Sequence, residues 1–463
     1  MVIKKNNNQY PHLDHHHHHH HIMYFTKRLS SLDYRYFLIL IPPLSLIIFF
    51  FLPYFSSPLT NPFSSFAPIR SFLLGVTVNI NATTTTTGTS PVSIYYYTPP
   101  RNETAETRLW RKKKEELLRS RIAVCLVGGA RRFELTGPSI MENILEEYPN
   151  SDLFLHSPLD QNAFKFSLLK NAPNLASVRI FEPKPIPETE TQARVLTAQN
   201  SPNGIQGLLQ YFHLVEGCLT LIQNYQKRQN FTYDWIIRTR VDGYWNDPLH
   251  PRNFIAGGYL VPPGSSYGGL NDRFGLGDLN TSIVALSRLS LIPKLDSAGL
   301  YQLNSETSFK AQLTTQGVPY VTKRLPFCVV SDRMYEFPPT QFGVPVTALS
   351  SRGPLSGAKC RPCTAACRGA CVAEVMPGLY KSWSWTDWAN GTLELCDAHE
   401  KWEDGWEKLF DRVAGKKLAK ERKRVQSLTL KKCVNDFEEM KKRTWNWEAP
   451  PPRQICNMGL EAH

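Results

Sequence analysis

No Gly-x-Gly-x-x-Gly fingerprint occurs in the 463-residue chain, so nothing in it marks a dinucleotide-binding turn. Its cysteine spacings match no standard pair of zinc knuckles, which turns eight of the ten cysteines, Cys328 and those after it, away from structural zinc and toward disulfides. Acidic residues are short, with 40 Asp and Glu against 53 Lys and Arg, and the formal net charge is +13. The excess is concentrated in blocks, chiefly Arg108–Arg121 and Lys416–Arg443. Such blocks could meet nucleic acid, anionic glycan or a membrane, but solvated basic helices are the preferred reading of each. The chain is not poor in apolar residues. At 42% hydrophobic and 11% aromatic it reads as globular, with room for a main domain of roughly 200–250 residues plus extras.

Charge is missing altogether from Phe37–Phe55, nineteen residues, which is just long enough to span a bilayer. Lys27, Arg28 and Arg35 precede this run and no charge follows until Arg70. The positive-inside rule then puts residues 1–36 in the cytosol and the bulk of the chain on the far side. A cleaved signal peptide competes, but the run is long, starts late and is followed by no Ala-x-Ala site. The seven histidines His15–His21 are a tag or a low-complexity tract and carry no metal site. Residues 56–119 read as a Ser/Thr/Pro-rich stalk ending in a basic segment. Five Asn-x-Ser/Thr sequons, at Asn81, Asn102, Asn230, Asn280 and Asn390, all lie beyond the anchor.

The stretch that organises the rest is Tyr233-Asp-Trp-Ile-Ile-Arg-Thr-Arg-Val-Asp-Gly-Tyr-Trp245. Its apolar start suits a buried strand. Arg238, Arg240 and Asp242 then fall at alternate positions, on one strand face, at the carboxyl end where open α/β sheets bind ligands. Arginines suit a diphosphate and a carboxylate suits a hard divalent cation, while a strand-end ion pair fits the same pattern. A first strand, Ile122–Val127, ends in Gly128-Gly129-Ala130-Arg131-Arg132, which reads either as a close backbone approach to a nucleotide or as a plain tight turn. A helix near Ser139–Glu147, strands at Asp152–His156 and Ser177–Phe181, and a long amphipathic helix from Ile205 to Tyr225 lie between the two. His213 on that helix reads as structural. This order predicts an α/β fold with a mostly parallel sheet and helices on both faces. Asn271, Asp272 and Arg273 sit in a Gly-rich loop, and Glu306 near a predicted helix start is either a cap-type acid or a catalytic carboxylate.

After residue 350 the character changes. Cys328, Cys360, Cys363, Cys367, Cys371, Cys396, Cys433 and Cys456 predict four disulfides, whereas Cys125 and Cys218 fall in core elements and are expected to be free thiols. Trp383, Trp385 and Trp388 could stack on sugars or build a small core, and Lys416–Arg443 reads as a basic helix.

The series VCLVGGARR, YDWIIRTRVDGYW, GGLNDRFGLGD and NSETSF resembles glycosyltransferases of the nucleotide-diphospho-sugar (GT-A) type, and more closely a plant family of type II membrane proteins carrying such a domain. The resemblance covers about residues 120–335. It implies a GT-A-like domain over 120–350 and a Cys/Trp-rich appendage over 351–463, held in the Golgi lumen by the single anchor. It also implies sugar transfer from a nucleotide-sugar to a carbohydrate or glycoprotein acceptor; the anchor and stalk, which would leave the basic blocks in the lumen, argue against a nucleic-acid partner. On that reading Gly128, Gly129, Arg131, Arg238 and Arg240 meet the diphosphate, Asp242 holds Mn²⁺ or Mg²⁺, Asn271 and Arg273 position the donor sugar, and Asp272 or Glu306 deprotonates the acceptor. Where such enzymes carry Asp-x-Asp, this chain has Arg238-Thr-Arg240-Val-Asp242, with one acidic residue. An inactive GT-A fold serving as a glycan-binding or scaffold protein is the alternative.

Overall fold

The computed structural model describes residues 104–379, apart from Asn200, Pro202 and Phe342, and residues 393–460. The histidine tract, the apolar run 37–55, the stalk to residue 103 and Trp383, Trp385 and Trp388 lie outside the described residues. Among the described residues no helix is long and apolar enough to cross a membrane.

The chain is mixed α/β. Its central strand β1 (Ile122–Val127) is buried at every residue, because both faces of the sheet are covered. Ile122, Val124 and Leu126 join one apolar cluster, with helix α2 (Phe133–Ile140) and the C-terminal helices. Ala123, Cys125 and Val127 join the other, against the long helix α4 (Gly204–Gln229). That helix buries Leu208, Leu209, Phe212, Val215, Leu219 and Ile222 at the predicted three- and four-residue spacing, and it stops at Asn230, a left-handed cap. Two short helices complete the list to this point, α1 (Ala105–Arg119) and α3 (Glu190–Val195). Within α1 the basic block is offset by i,i+4 and i,i+3 pairs, Arg111 with Glu115 and Lys113 with Glu116, as a solvated basic helix requires.

Strands β2 (Ser151–Pro158), β3 (Leu175–Phe181), β4 (Trp235–Arg240), β6 (Tyr259–Val261), β7 (Phe274–Asp278), β8 (Tyr320–Thr322) and β14 (Asn446–Glu448) complete an eight-stranded sheet in the order β14-β3-β2-β1-β4-β7-β6-β8. Only β7 runs against the others: it is antiparallel to both β4 and β6, and the remaining five neighbour pairs are parallel. Helices α5 (Leu279–Leu286), α6 (Ile292–Ser297) and α7 (Ser305–Thr315) follow β7 and pack on the α4 side.

The predicted appendage is not a separate body. Strand β5 (Gly243–Trp245) follows β4 after two residues and starts a second sheet, with β9 (Phe327–Val330), β10 (Val346–Ala348), β11 (Ala358–Arg361), β12 (Cys367–Arg368) and β13 (Glu394–Leu395) in the order β12-β13-β10-β11-β9-β5. At the other end of the chain, β14 pairs with β3 and enters the main sheet. Val241 and Asp242 are therefore the corner where one sheet hands the chain to the other. The predicted basic helix is also divided: α9 (Trp406–Gln426), kinked at Gly415 where φ is +80°, and α10 (Leu430–Arg443) are separate helices, with Thr429 capping the second, and α11 (Pro452–Leu460) closes the fold. Between β12 and β13 the described elements are the short helix α8 (Ala370–Val375) and a 3₁₀ turn at Met376–Gly378.

The eight later cysteines form four disulfides, Cys328–Cys360, Cys363–Cys396, Cys367–Cys371 and Cys433–Cys456. The expectation for Cys125 and Cys218 is corrected: they are paired, joining β1 to α4 with Cα atoms 6.1 Å apart. Both face the same apolar cluster, and the helix presents Cys218 on the side that packs against β1. The two sequons within the described residues, Asn230 and Asn280, are both exposed.

Candidate functional site

From β1 the chain moves to β2 and β3 on one side, then returns to β4 on the other. The loops leaving β1 and β4 diverge at their carboxyl ends, which opens a crevice at this switch point. A cleft of about 450 Å³ occupies it, lined by Gly128, Gly129, Arg131, Arg240, Asp242, Asp272 and Glu306 together with residues that the sequence did not mark.

The turn after β1 forms one wall. Gly128 has φ +124°, and a Cβ there would lie 2.9 Å from Val241 Cγ2, so only glycine lets this turn run against the β4–β5 corner. The turn is then tied down by Arg132. Its Nε donates to Asp332 at 2.8 Å, and its guanidinium lies 4.1 Å from the centre of the Trp402 ring.

The corner supplies the second wall. Arg240 Nε and Nη2 donate to the two oxygens of Asp242 at 2.8 and 2.7 Å, a bidentate fork. The Asp242 side chain is only 4% exposed, and Arg131 Nη1 approaches it at 3.9 Å. Burial works against the carboxylate, but the charge and hydrogen bonds of Arg240, helped by Lys359 and Arg131, outweigh it and hold Asp242 well below the usual carboxylate range. Its backbone is pinned too, since Asp242 O accepts from Val330 N at 2.9 Å.

The third wall is the amino terminus of α7, capped by Asn304. Gly269 lies against it so closely that a Cβ would fall 1.9 Å from Glu306 O, and Leu270 N donates to that oxygen at 3.1 Å. The predicted loop site and the predicted helix-start acid are thus one assembly. Ser305 Oγ donates to Asp272 Oδ2 at 2.5 Å, and Arg288 stands 3.8 Å behind the same oxygen. Burial raises Asp272, yet Arg288, Arg238 and Ser305 together bring it below its ordinary value. Glu306 goes the other way: burial, with the neighbouring charge of Asp272, pushes it up to about 8. Two carboxyl groups in one pocket are therefore driven apart in proton affinity.

Three predicted residues do not line the cleft. Arg238 shares a strand face with Arg240 but sits two residues deeper, 2% exposed, donating to Tyr211 Oη at 3.2 Å. Asn271 is consumed by the carbonyls of Pro263 and Ser356, at 3.0 and 3.4 Å, and by Arg273 N, at 3.1 Å. Arg273 donates to Ser265 Oγ and Gly357 O, at 2.8 and 2.5 Å, tying the loop to the second sheet. All three brace the walls from behind.

Among the lining residues that the sequence did not mark are Asp160 after β2, and three from the second sheet: Ser331 and Arg333 after β9, and Lys359 on β11. Pairing of Lys359 with Val329 in the β11–β9 register brings it to the corner. Burial, then the charges of Arg273 and Arg240, lower the Lys359 ammonium well below the usual lysine range. Tyr211 and Gln210 of α4 close the remaining side.

At the corner, Asp242 as placed here does not offer a divalent cation a free carboxylate. Both Asp242 oxygens are taken by one guanidinium, with Arg131 beside them and Lys359 acting electrostatically on the same group. Among the described residues no group of three or more His, Cys, Asp or Glu could hold a metal ion.

The chain belongs to a family defined by a domain of unknown function (DUF7796), whose model matches residues 117–462. The match runs through both sheets, as expected if they form one body. No curated protein matches the chain.

Proposed function

We propose that the chain is a GT-A-like glycosyltransferase of the secretory pathway, moving a sugar from a nucleotide-diphospho-sugar to a carbohydrate or glycoprotein acceptor. The observation that carries this reading is the switch-point cleft itself. A glycine turn and a cationic wall lie on one side, where a diphosphate would sit, and a carboxyl group of raised proton affinity lies on the other. Five disulfides agree with an oxidising compartment, and the apolar run 37–55 would anchor the chain in the Golgi membrane with its body in the lumen.

In the reaction the acceptor hydroxyl loses its proton to the Glu306 carboxylate as its oxygen bonds to the anomeric carbon. The bond from that carbon to the diphosphate oxygen breaks, and the electron pair leaves with the nucleoside diphosphate. Cationic side chains facing that oxygen stabilise the charge as it develops. Glu306 suits the base role better than Asp272, because Asp272 is committed to Ser305 and Arg288 and has lost proton affinity.

A panel of labelled nucleotide-sugars, incubated with the full chain and mixed glycan acceptors, tests this. Transfer from one of them is expected, with kcat/KM rising as pH climbs toward about 8, because the base is active only when ionised. Binding of a nucleotide-sugar without transfer or hydrolysis at any pH would favour the inactive, glycan-binding alternative.

A further inference from the structure

Four cationic side chains, Arg131, Arg240, Arg333 and Lys359, line the cleft beside four carboxyl groups, Asp160, Asp242, Asp272 and Glu306, yet two of the cations form no ion pair with any of them. Lys359 is half-buried, and among the described residues its Nζ has no hydrogen bond and no ion pair. Arg333, on the loop after β9, makes no ion pair either. Arg240 satisfies Asp242 through Nε and Nη2 but remains a quarter exposed at the cleft, and Arg131 is 58% exposed beside it. Behind the wall, Arg288 has Nε and Nη1 buried without a hydrogen-bond acceptor, Asp272 lying 3.8 Å from Nη1. Holding an unpaired ammonium in a mostly closed site among guanidinium groups is costly, and the cost disappears when an anion enters.

We infer that this cleft binds the diphosphate of its nucleotide ligand without a metal ion, Lys359, Arg333, Arg240 and Arg131 taking the place that a divalent cation would otherwise fill. The inference rests on the glycosyltransferase reading for the identity of the ligand, but not for the charge. Two phosphates bear up to three negative charges, and two of these four cations enter the cleft with no carboxylate of their own. A divalent ion in the same place would need carboxylate or carbonyl oxygens, and the corner's one carboxylate is closed by a guanidinium fork. The cations also come from both sheets: Arg131 and Arg240 from the main one, Lys359 and Arg333 from the second. The ligand would therefore bridge the two, which gives the disulfide-bonded second sheet a part in the site.

The test uses the full chain, with inorganic pyrophosphate, UDP and GDP titrated by calorimetry in EDTA and again in Mn²⁺. The affinity for the diphosphates is expected to agree within about twofold between the two conditions, and Lys359→Met is expected to weaken it about tenfold or more. Because that variant removes an unpaired charge, its melting temperature should stay level or rise. Arg333→Gln, at an exposed position, should weaken binding by a smaller factor with no loss of stability. Binding at least tenfold tighter in Mn²⁺ than in EDTA overturns the inference and leaves the glycosyltransferase reading standing. Lys359→Met that binds as the parent does, yet melts earlier, overturns it as well and makes Lys359 a support. Absence of diphosphate binding in both conditions overturns the reading on which the inference rests.

Discussion

Glu306→Gln is expected to lower kcat by about 10²–10⁴-fold while leaving nucleotide-sugar binding within a few fold, because the amide keeps the shape and cannot accept the acceptor's proton. The same substitution should leave the protein as stable as before, or more so in mild alkali. Glu306 has a folded-state value raised from 4.5 to about 8, so folding favours its neutral form. The parent protein then loses stability as pH rises between those two values, whereas Gln, a mimic of the neutral acid, removes that dependence. Denaturant melts at pH 6 and pH 9, together with initial rates, measure both. A variant with parental kcat would assign the base elsewhere. A variant that melts early at pH 6 would make Glu306 a helix-start support.

Asp242→Asn should act chiefly on stability. The substitution leaves the Arg240 fork in a mostly buried corner without its carboxylate, and breaking such a pair costs on the order of 3 kcal/mol. The loss should appear in urea unfolding as a lower midpoint with an unchanged slope. Asp242 is held below its ordinary value, so the stability that it contributes is present above the unfolded carboxylate value and is lost as pH falls toward the folded one. The acid limb of the parent's stability profile should therefore shrink in the variant. Arg240→Lys keeps a charge but not the fork, and should cost less. An Asn variant with the parental urea midpoint would show that the corner does not depend on this pair.

Much of this site was legible because its parts are local. Strand alternation placed Arg240 and Asp242 together, a glycine pair after β1 marked the turn, and a serine–glutamate start marked α7. Alternation gives a face but no depth. Arg238, on the same face two residues back, lies roughly 6–7 Å further down the strand, under Tyr211 and out of the cleft. Asn271 and Arg273 were polar in a glycine loop, which fits both a site and the supports of one. Only their hydrogen-bond partners, Ser356 and Gly357 in a segment more than eighty residues away, decide between the two. Lys359 could not have been found by spacing, since it sits between Ala358 and Cys360 in a strand read as disulfide framework, and only the pairing of β11 with β9 carries it to the corner. The Cys125–Cys218 bond was hidden for the same reason: 93 residues separate the two, and nothing local says that the helix will turn Cys218 toward β1.

The central claim is that the switch-point cleft holds a nucleoside diphosphate, and a crystal structure of the protein with UDP or GDP bound tests it most directly. The account predicts the diphosphate between the Gly128–Arg131 turn and Lys359, with the leaving oxygen facing the Glu306 side of the cleft. A nucleotide bound elsewhere on the molecule, with this cleft closed by its own side chains, would contradict it.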